Sequence, residues 1–340
     1  MRHALVAAIL AAGVVGGCQT TRLEDTAPRT ASVAAIGETA PVGTASVDAA
    51  DDPAIWRNRQ RPAESLIVAT DKKAGLYVYG LDGQVRSFEP AGRLNNVDLV
   101  DLGARGVIVV ASDRNNVAAA QLQVYRLDTA KAALIQLGQL PGGAGEAYGV
   151  CLWRNRAALH AFSVLKDGSI EESRLALTGG AVKSNVVRRL KLASQAEGCV
   201  VDPRDGALYV AEEDVGIWRF ASGASSGDLV ARADGIQLVA DVEGLALAPQ
   251  GRRGGLLVAS SQGDNAYALY RLPAMTPSGR FRIAAGRFGA TEETDGIALQ
   301  LGDFGPGLRR GLFIAQDGAN GAAQNFKLVS WAAIEEGLRQ

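Results

Sequence analysis

The chain has 340 residues, of which 47% are hydrophobic and 21% are charged, and its formal net charge is −1. This length is sufficient for a large buried core, and the charge balance excludes a protein that binds nucleic acid through an overall basic surface. Glycine is abundant, with 41 residues, and patterns with the helical period are scarce. That combination favours many short strands joined by turns.

The first element in chain order is a targeting segment. A basic start precedes an apolar run of 12 residues, Ala4 to Val15, which is too short for a transmembrane helix and is typical of a signal peptide. The run ends in Val15-Gly-Gly-Cys18, which resembles the lipobox of bacterial lipoproteins, and Gln19 lacks the Asp associated with inner-membrane retention. We therefore predict a lipoprotein-type signal peptide over 1–17, lipidation of Cys18, and anchoring in the bacterial outer membrane, periplasmic or at the cell surface. Secretion after ordinary cleavage is the alternative.

The next segment, residues 18–45, is rich in Thr, Ala, Pro and Ser and predicts a flexible tether. The folded domain is predicted over 46–340. Two further cysteines, Cys151 and Cys199, lie in apolar strand patterns, which favours buried free thiols. A disulfide between them is the alternative that export would permit.

A polar residue followed by a short apolar strand recurs six times in the domain. The spacings between the first residues are 44, 52, 49, 46 and 52 for segments that begin at Asp52, Asn96, Tyr148, Glu197, Glu243 and Asp295. A second series of apolar strands, each followed by polar residues, has the same period: Leu66–Ala69, Val107–Ala111, His160–Val164, Leu208–Ala211, Leu256–Ala259 and Leu312–Ala315. Such a period is typical of radial or stacked repeats.

Each unit of about 48 residues holds an inner strand, a middle strand, a third strand and room for a fourth. This predicts an all-β fold, a six-bladed β-propeller with four-stranded antiparallel blades. A β-helix would need shorter coils, and βαβ units would need amphipathic helices that the sequence lacks. The one helical candidate is Trp331–Leu338, after the last unit.

Equivalent positions in a propeller lie at one depth around one axis, so the polar residues of the first series predict a ring at the channel mouth. This ring contains Asp52, Asp98, Glu197, Glu243 and Asp295, with Tyr148 in the remaining blade. So many carboxylates cannot all stay ionised in a partly desolvated site unless cations neutralise them. Ca²⁺ accepts many oxygens in loose geometry. The alternative is that these acids cap ordinary Asp-Gly and Glu-Gly turns.

Cationic residues follow the middle strands on the same rim: Lys72 or Lys73, Arg114 and Lys166. Cations beside an acidic ring indicate a ligand that is itself highly anionic, with divalent cations between its oxygens and the protein carboxylates. A polyphosphorylated small molecule satisfies that description.

From about residue 48 to 333 the sequence resembles the β-propeller phytases, the calcium-dependent alkaline phytases of bacteria. The resemblance is carried by ordered segments that include Asp51-Asp-Pro-Ala-Ile-Trp56, Gly92-Arg-Leu-Asn-Asn-Val-Asp98, Tyr209-Val-Ala-Glu-Glu-Asp214, Asp241-Val-Glu-Gly-Leu245, Gly311-Leu-Phe-Ile-Ala-Gln-Asp-Gly318 and Gln324-Asn-Phe-Lys327.

The resemblance implies a 3-phytase that removes phosphate from myo-inositol hexakisphosphate (phytate) by direct attack of a calcium-bound water. It also implies several catalytic and structural Ca²⁺ ions and a substrate bound as a calcium complex. We further predict a monomer that meets the membrane only through the lipid anchor at Cys18. The predicted catalytic residues are Glu197, Asp241, Glu243 and Glu212. The predicted phosphate-binding residues are Lys72, Arg114, Tyr148 and Lys166. The predicted calcium ligands are Asp52, Asp98, Asp167, Glu197, Glu212, Asp241, Glu243, Gln262, Asp295, Asp317, Gln324 and Asn325.

Two departures from the family pattern concern calcium. Asp167 stands where the family usually has Glu, and the stretch between Asp317 and Gln324 is shorter than the common version, which bears on one structural site. Two other functions remain as alternatives. One is a non-catalytic propeller that binds inositol phosphates or calcium. The other is a calcium-dependent propeller lactonase or esterase, although His160, the histidine outside the leader, opens an apolar strand and is predicted to be structural.

Overall fold

The structure, a computed structural model, describes Met1 and residues 29–45, 48–156, 158–178, 180–321 and 323–340. The predicted signal peptide beyond Met1 and the lipidation site Cys18 lie outside the described residues, so both stay predictions. Among the described residues, no helix is long and apolar enough to cross a membrane.

The described chain forms six sheets, which are the blades of a β-propeller. Two N-terminal strands come first, β1 (Thr30–Ala34) and β2 (Gly37–Glu38). Blade 1 contains β3 (Ala50–Trp56), β4 (Leu66–Asp71), β5 (Gly75–Gly80) and β6 (Val85–Pro90). Blade 2 contains β7 (Leu94–Asp101), β8 (Val107–Asp113), β9 (Ala119–Asp128) and β10 (Ala133–Ala144). Blade 3 contains β11 (Ala147–Arg154), β12 (Leu159–Leu165), β13 (Ser169–Thr178) and β14 (Ala181–Lys191).

The second half of the chain repeats this arrangement. Blade 4 contains β15 (Ala196–Val201), β16 (Leu208–Glu212), β17 (Gly216–Phe220) and β18 (Asp228–Arg232). Blade 5 contains β19 (Val242–Gln250), β20 (Gly254–Ser261), β21 (Ala266–Arg271) and β22 (Thr276–Ala284). Blade 6 contains β23 (Ile297–Leu301), β24 (Gly311–Asp317) and β25 (Asn325–Ser330), followed by the helix α1 (Trp331–Gly337). Short 3₁₀ helices occupy Pro62–Glu64, Gly103–Arg105 and Gln262–Asp264.

The hydrophobic core lies between the blades. Within each blade the strands pair antiparallel in chain order, and the first strand of each blade contacts the first strand of the next, including β23 against β3. Each pair of neighbouring blades shares a cluster of buried apolar residues, such as Val68, Val78, Val97 and Val109 between blades 1 and 2. Burial of each such side chain contributes about 1.5–3 kcal/mol. The predicted six-bladed propeller and its terminal helix are confirmed.

The N-terminal strands close the ring. β2 pairs antiparallel with β25 as the outermost strand of blade 6, and β1 adds a parallel fifth strand to β22 of blade 5. The prediction of a flexible tether over 18–45 is therefore wrong for these two strands. Small alternating residues are sufficient to bury one face, since Ala31 and Val33 pack into the cluster between blades 5 and 6. Residues 18–28 lie outside the described part of the chain.

The two cysteines of the domain form a disulfide. Cys151 on β11 and Cys199 on β15 have their Cα atoms 5.8 Å apart, and their sulfur atoms are bonded. The preference for free thiols was wrong, because inner strands of adjacent blades converge near the axis and bring equivalent positions within bridging distance.

Candidate active site

A recurrent β-bulge positions one ring of side chains at the channel mouth. The pairing of the inner strand with the middle strand is interrupted at the same register in blades 1 to 5. A bulge bends the strand and re-aims the side chain that it inserts. In each of these blades, one polar side chain lies two residues before the first paired residue that follows the bulge. In blade 6 the equivalent side chain lies two residues before Ile297, the start of β23. These residues are Asp51, Asn95, Tyr148, Glu197, Glu243 and Asp295. We call these residues the inner ring.

Two residues of the sequence-predicted ring lie elsewhere. Asp52 accepts a hydrogen bond from the Val97 backbone N–H at 3.0 Å, and Asp98 accepts one from the Leu152 N–H at 2.7 Å. Each carboxylate thus joins its own inner strand to that of the next blade. Burial raises the pKa of Asp98 to about 6, although its backbone hydrogen bonds oppose this shift. The ring prediction was wrong by one residue at Asp52, because the bulge adds a residue that strand alternation does not count. In blade 2 the ring position belongs to Asn95, an amide three residues before the predicted Asp98.

Glycines follow four inner-ring residues because the inner strands approach each other closely there. A Cβ atom on Gly198 would lie 2.2 Å from the carbonyl oxygen of Glu243, and one on Gly244 would lie 2.7 Å from that of Asp295. The Gly244 N–H donates to the same Asp295 carbonyl at 2.8 Å. Both Glu-Gly pairs therefore lie within inner strands, where they contact the inner strand of the next blade. The alternative that they form ordinary turns is wrong.

A second ring comes from the residues that follow the middle strands. In each of blades 1 to 5, the first residue after the middle strand donates its backbone N–H to a backbone carbonyl of the same blade. That carbonyl belongs to the residue two places before the inner-ring residue. The members of this outer ring are Lys72, Arg114, Lys166, Glu213 and Gln262. The sequence prediction named every member except Glu213.

Glu212, the predicted ligand one residue earlier, points away from this ring. Its Oε1 accepts hydrogen bonds from the N–H and hydroxyl of Ser194, and its Oε2 accepts one from the Trp218 indole, all at 2.7 Å. Asp71 and Asp113 occupy the same register and likewise accept hydrogen bonds within their own blades. The Glu212 carboxylate therefore holds its own blade together, and Glu213, not Glu212, lies in the outer ring. The assignment of Glu212 to catalysis and calcium stays a prediction.

Tyr148 lies at the centre of the cationic half of the site, which is supplied by blades 2 and 3. The Nζ atom of Lys166 lies 5.2 Å from the centroid of the Tyr148 ring, and the guanidinium carbon of Arg114 lies 6.0 Å from it. Arg114 is buried and Lys166 is exposed. Burial, together with the charge of Glu197, raises the pKa of the Tyr148 hydroxyl far above its ordinary value. Tyr148 therefore remains a hydrogen-bond donor at alkaline pH.

Lys72 lies at the boundary between the two halves. Its ammonium is 2.7 Å from Asp295, 3.1 Å from Asp51 and 2.6 Å from Asp48. Burial would lower the pKa of Lys72, but Asp51 and Asp295 outweigh burial and raise that pKa, so the side chain stays charged. Lys73 is more exposed and pairs with Asp48 at 2.9 Å. This decides in favour of Lys72 as the lysine that faces the site.

Three glutamates form the acidic half, which is supplied by blades 4 and 5. Oxygens of Glu197, Glu213 and Glu243 lie within 4.8 Å of one another, and all three side chains are buried. Asn95 donates to Glu197 at 2.8 Å. Gln195 donates to both oxygens of Glu213, at 2.8 and 2.7 Å, and to the Tyr148 hydroxyl at 3.3 Å. Amide side chains thus fix the carboxylates and connect them to the cationic half.

The electrostatics of the acidic half leave negative charge uncompensated. Burial and then the charge of Asp51 raise the pKa of Glu197, and burial and then the charge of Glu197 raise that of Glu243. Burial likewise raises the pKa of Glu213. Within the described part of the chain, Oδ2 of Asp51 and Oε2 of Glu243 are buried without a hydrogen bond or ion pair, whereas Oδ1 of Asp51 lies 3.1 Å from the Lys72 ammonium. Orphaned buried oxygens in this number fit a bound hard cation.

Two predicted calcium ligands extend this acidic half. Gln262 donates its side-chain amide to Asp295 at 2.7 Å, and the backbone carbonyl of Asp241 accepts the backbone N–H of Gln262 at 3.0 Å. Burial and then the charges of Asp214 and Asp295 raise the pKa of Asp241. Asp167, by contrast, is exposed and is paired with Lys191 at 2.7 Å. The structure brings Gln262 and Asp241 to the site and leaves Asp167 outside the glutamate group.

The remaining predicted calcium ligands lie at the ring closure and already have partners. Asp317 and Asn325 both contact the ammonium of Lys327, each at 3.1 Å. The Oε1 atom of Gln324 accepts the backbone N–H groups of Ala49 and Ala50. These partners lie outside the glutamate group, although Gln324 also lines one cavity together with Gln262 and Asp295.

Comparison with known proteins decides the family. The family model described as Phytase matches residues 2–340. This chain belongs to the phytase family. The 3-phytase of Bacillus subtilis (strain 168) is 40% identical over 329 residues, which cover 90% of this chain and 85% of that protein. A chain of a solved structure described as "Crystal Structure of Mitotic Checkpoint Complex" aligns with 98% of this chain and 86% of its own length, at a TM-score of 0.52 and 13% identity, and shows similarity of fold alone.

The family membership confirms the sequence resemblance and the enzyme class, and the residues of this phytase that the sequence did not reveal lie close to predicted positions. Glu213, Asp51 and Asn95 each lie one to three residues from a predicted position. Aligning the dipeptides Asp71-Lys72, Asp113-Arg114 and Glu212-Glu213 would have revealed Glu213, because the first acid of each is the structural one. No comparable sequence signal distinguishes Asp51 from Asp52.

Proposed function

We propose that this phytase-family enzyme hydrolyses phosphomonoesters of phytate with Ca²⁺ as its cofactor. The observation that carries the proposal is the division of one propeller face into a cationic half around Tyr148 and an acidic half around Glu197, Glu213 and Glu243. A polyanion alone would be repelled by the acidic half, and a metal ion alone would not need the cationic half. Both halves are used only when an anionic ester binds together with a cation.

The residues of the acidic half would hold the cation. Glu197, Glu213 and Glu243 supply carboxylate oxygens, and Asp51, Asp241 and Asp295 lie around the same mouth. Oxygen donors of this kind suit Ca²⁺. When bound, Ca²⁺ supplies charge neutralisation and Lewis-acid polarisation of water and phosphoryl oxygens.

The residues of the cationic half bind and orient the ester. Arg114 and Lys166 provide positive charge to phosphate oxygens, and the Tyr148 hydroxyl donates a hydrogen bond because its raised pKa keeps it protonated. Gln195 fixes both Tyr148 and Glu213, so the orientation of the phosphate is coupled to the carboxylates that surround the cation.

The experiment that tests the proposal is phosphate release from phytate at neutral to mildly alkaline pH. We expect release with added Ca²⁺, loss of release with excess chelator, and recovery when Ca²⁺ is returned. Binding of phytate without release at any Ca²⁺ concentration would instead indicate a non-catalytic binding propeller. Full release in excess chelator would contradict the calcium dependence.

A further inference from the structure

The closure of the propeller contains a fully buried ammonium. The side chain of Lys327 on β25 has no exposed surface. Its Nζ atom lies 2.5 Å from Glu38 Oε2 and 3.1 Å from each of Asp317 Oδ2, Asn325 Oδ1 and Asn320 Oδ1. We call these four oxygens and the ammonium the closure cage.

The closure cage joins separate segments of the chain. Glu38 belongs to the N-terminal strand β2, Asp317 ends β24, Asn320 lies in the following turn, and Asn325 begins β25. Asn325 also donates to Glu38 at 3.2 Å. The cage therefore holds the N-terminal strand onto blade 6 at the point where the ring of blades closes.

The oxygens of this cage are those expected of a calcium site, namely two carboxylates and two side-chain amides. The resemblance to the family implied that Asp52, Asp317, Gln324 and Asn325 are ligands of a structural calcium. The residues do not fit that ion, because the Lys327 ammonium contacts the oxygens of Asp317 and Asn325 that would bind it. Gln324 directs its carbonyl oxygen to the Ala49 and Ala50 N–H groups, at 2.7 and 3.0 Å.

Electrostatic repulsion supports the same conclusion. One ammonium faces two carboxylates, those of Glu38 and Asp317, and its remaining contacts are neutral amide oxygens. A divalent ion placed beside a buried ammonium would experience strong repulsion at this distance. We propose that the Lys327 ammonium is the resident cation of the closure cage, so that ring closure in this chain is independent of divalent metal.

The test is hydrogen exchange of the amides that attach the N-terminal segment to β25. Ile36, Thr39 and Val42 donate their N–H groups to the carbonyls of Leu328, Phe326 and Gln324, at 2.8, 2.9 and 3.0 Å. In the unaltered full chain, we expect equal protection of these three amides with excess Ca²⁺ and with excess chelator. Loss of their protection in chelator would overturn the proposal, whatever the effect of chelator on phosphate release.

A substitution tests the role of the ammonium directly. Lys327→Met keeps the length of the side chain but leaves the buried Asp317 and the partly exposed Glu38 without their cation. In chelator we expect a fall in Tm of about 5 °C or more, since breaking a buried ion pair leaves an uncompensated charge. With Ca²⁺ we expect protection of the Ile36, Thr39 and Val42 amides to return, together with one more bound ion per chain than in the unaltered protein.

The control is Lys131→Met, which removes an exposed lysine whose ammonium lies 3.8 Å from Asp128. It should change neither the protection nor the number of bound ions. Equal numbers of bound Ca²⁺ ions and equal protection in chelator for Lys327→Met and the unaltered chain would overturn the proposal. Folding of Lys327→Met only in the presence of Ca²⁺ would also support the proposal, because the variant would then require a metal ion where the unaltered chain has the ammonium. Failure to fold in both conditions leaves the exchange measurement on the unaltered chain as the deciding test.

Discussion

The acidic half of the active site and the closure cage contain the same kinds of residue and differ in their source of positive charge. In the closure cage, the ammonium of Lys327 sits among the oxygens of Glu38, Asp317, Asn320 and Asn325. In the acidic half, three buried glutamates lie within 4.8 Å of one another, and burial and mutual repulsion raise the pKa of Glu197 and of Glu243. A count of acids therefore does not identify a metal site. The balance between buried carboxylates and buried cations does.

The largest effect on activity is expected when a carboxylate charge is removed from the acidic half. Glu197→Gln should lower the kcat of phosphate release by roughly 1,000-fold, or about 4 kcal/mol of activation free energy, because a cation bound there loses a charged ligand. The fold should persist, with the amides of Ile36 and Thr39 still protected at the closure. Asp167→Asn is the control, since Asp167 is exposed and pairs with Lys191. Activity of Glu197→Gln near that of the unaltered enzyme would remove Glu197 from the catalytic machinery.

The neighbouring pair Glu212 and Glu213 sharpens the comparison, because one residue is structural and the other faces the site. Glu213→Gln should lower phosphate release by about 100-fold, since it belongs to the glutamate group. Glu212→Gln should leave kcat within about threefold but lower the free energy of unfolding by about 1–3 kcal/mol. Its amide nitrogen would face the Trp218 indole N–H and leave a buried donor unpaired.

The check on this pair is a phytate assay beside chemical denaturation of both variants. A large loss of activity in Glu212→Gln with an unchanged free energy of unfolding would reverse the two assignments.

The pH dependence of stability should have opposite signs in the two regions. Burial, reinforced by Asp295 and opposed by Lys72, raises the pKa of Asp51 to about 7. In chelator, the folded state therefore binds a proton at Asp51 that the unfolded state has already lost, and the free energy of unfolding should fall by about 2 kcal/mol or more as pH rises from 4 to 7. Saturating Ca²⁺ should flatten this dependence.

At the closure cage the sign is reversed. Burial opposes ionisation of Glu38, but its hydrogen bond to Lys327 outweighs burial and lowers the pKa of Glu38 below its ordinary 4.5. The contribution of Glu38 is present above that value and is lost as pH falls through the folded pKa. Denaturation curves in chelator for Asp51→Asn and Glu38→Gln separate the two effects. An unchanged slope between pH 4 and 7 in Asp51→Asn would contradict the account of the active site.

The sequence predicted the fold well because the signal repeats. The period of the apolar strands gave all six blades, and the last unit was followed by the one helix that was expected, Trp331–Gly337. The N-terminal strands β1 and β2 were missed, since Thr30–Ala34 and Gly37–Glu38 lie in a segment whose composition is that of a linker. Only the pairing partners, which are distant in sequence, make them strands.

The sequence predicted the types of residue in the site, but several of the predicted positions differ from the observed ones by one to three residues. Strand alternation assigns side chains to faces by counting in twos, and each bulge adds a residue to that count. Asp51 therefore occupies the ring position that had been given to Asp52. Glu213 instead follows the regularly paired middle strand β16 and takes the outer-ring position that had been given to Glu212. Lys327 was recognised in the sequence only as part of a family match, and its role as a cation depends on contacts with Glu38, which lies 289 residues away in the chain.

The smallest expected effect concerns the cationic half, whose exposed charge water and salt screen. Lys166→Met should raise the KM for phytate by about three- to tenfold with little change in kcat, because Lys166 lies beside Tyr148 but is exposed. The effect should shrink as ionic strength rises, since exposed charges act through a screened field. Lys191→Met removes an exposed lysine of the same blade that is already paired with Asp167, and should leave KM unchanged. Equal KM values for the two variants would mean that Tyr148 and the buried Arg114 bind the phosphate without Lys166. A fall in kcat without a rise in KM would instead place Lys166 among the residues that act on the transition state.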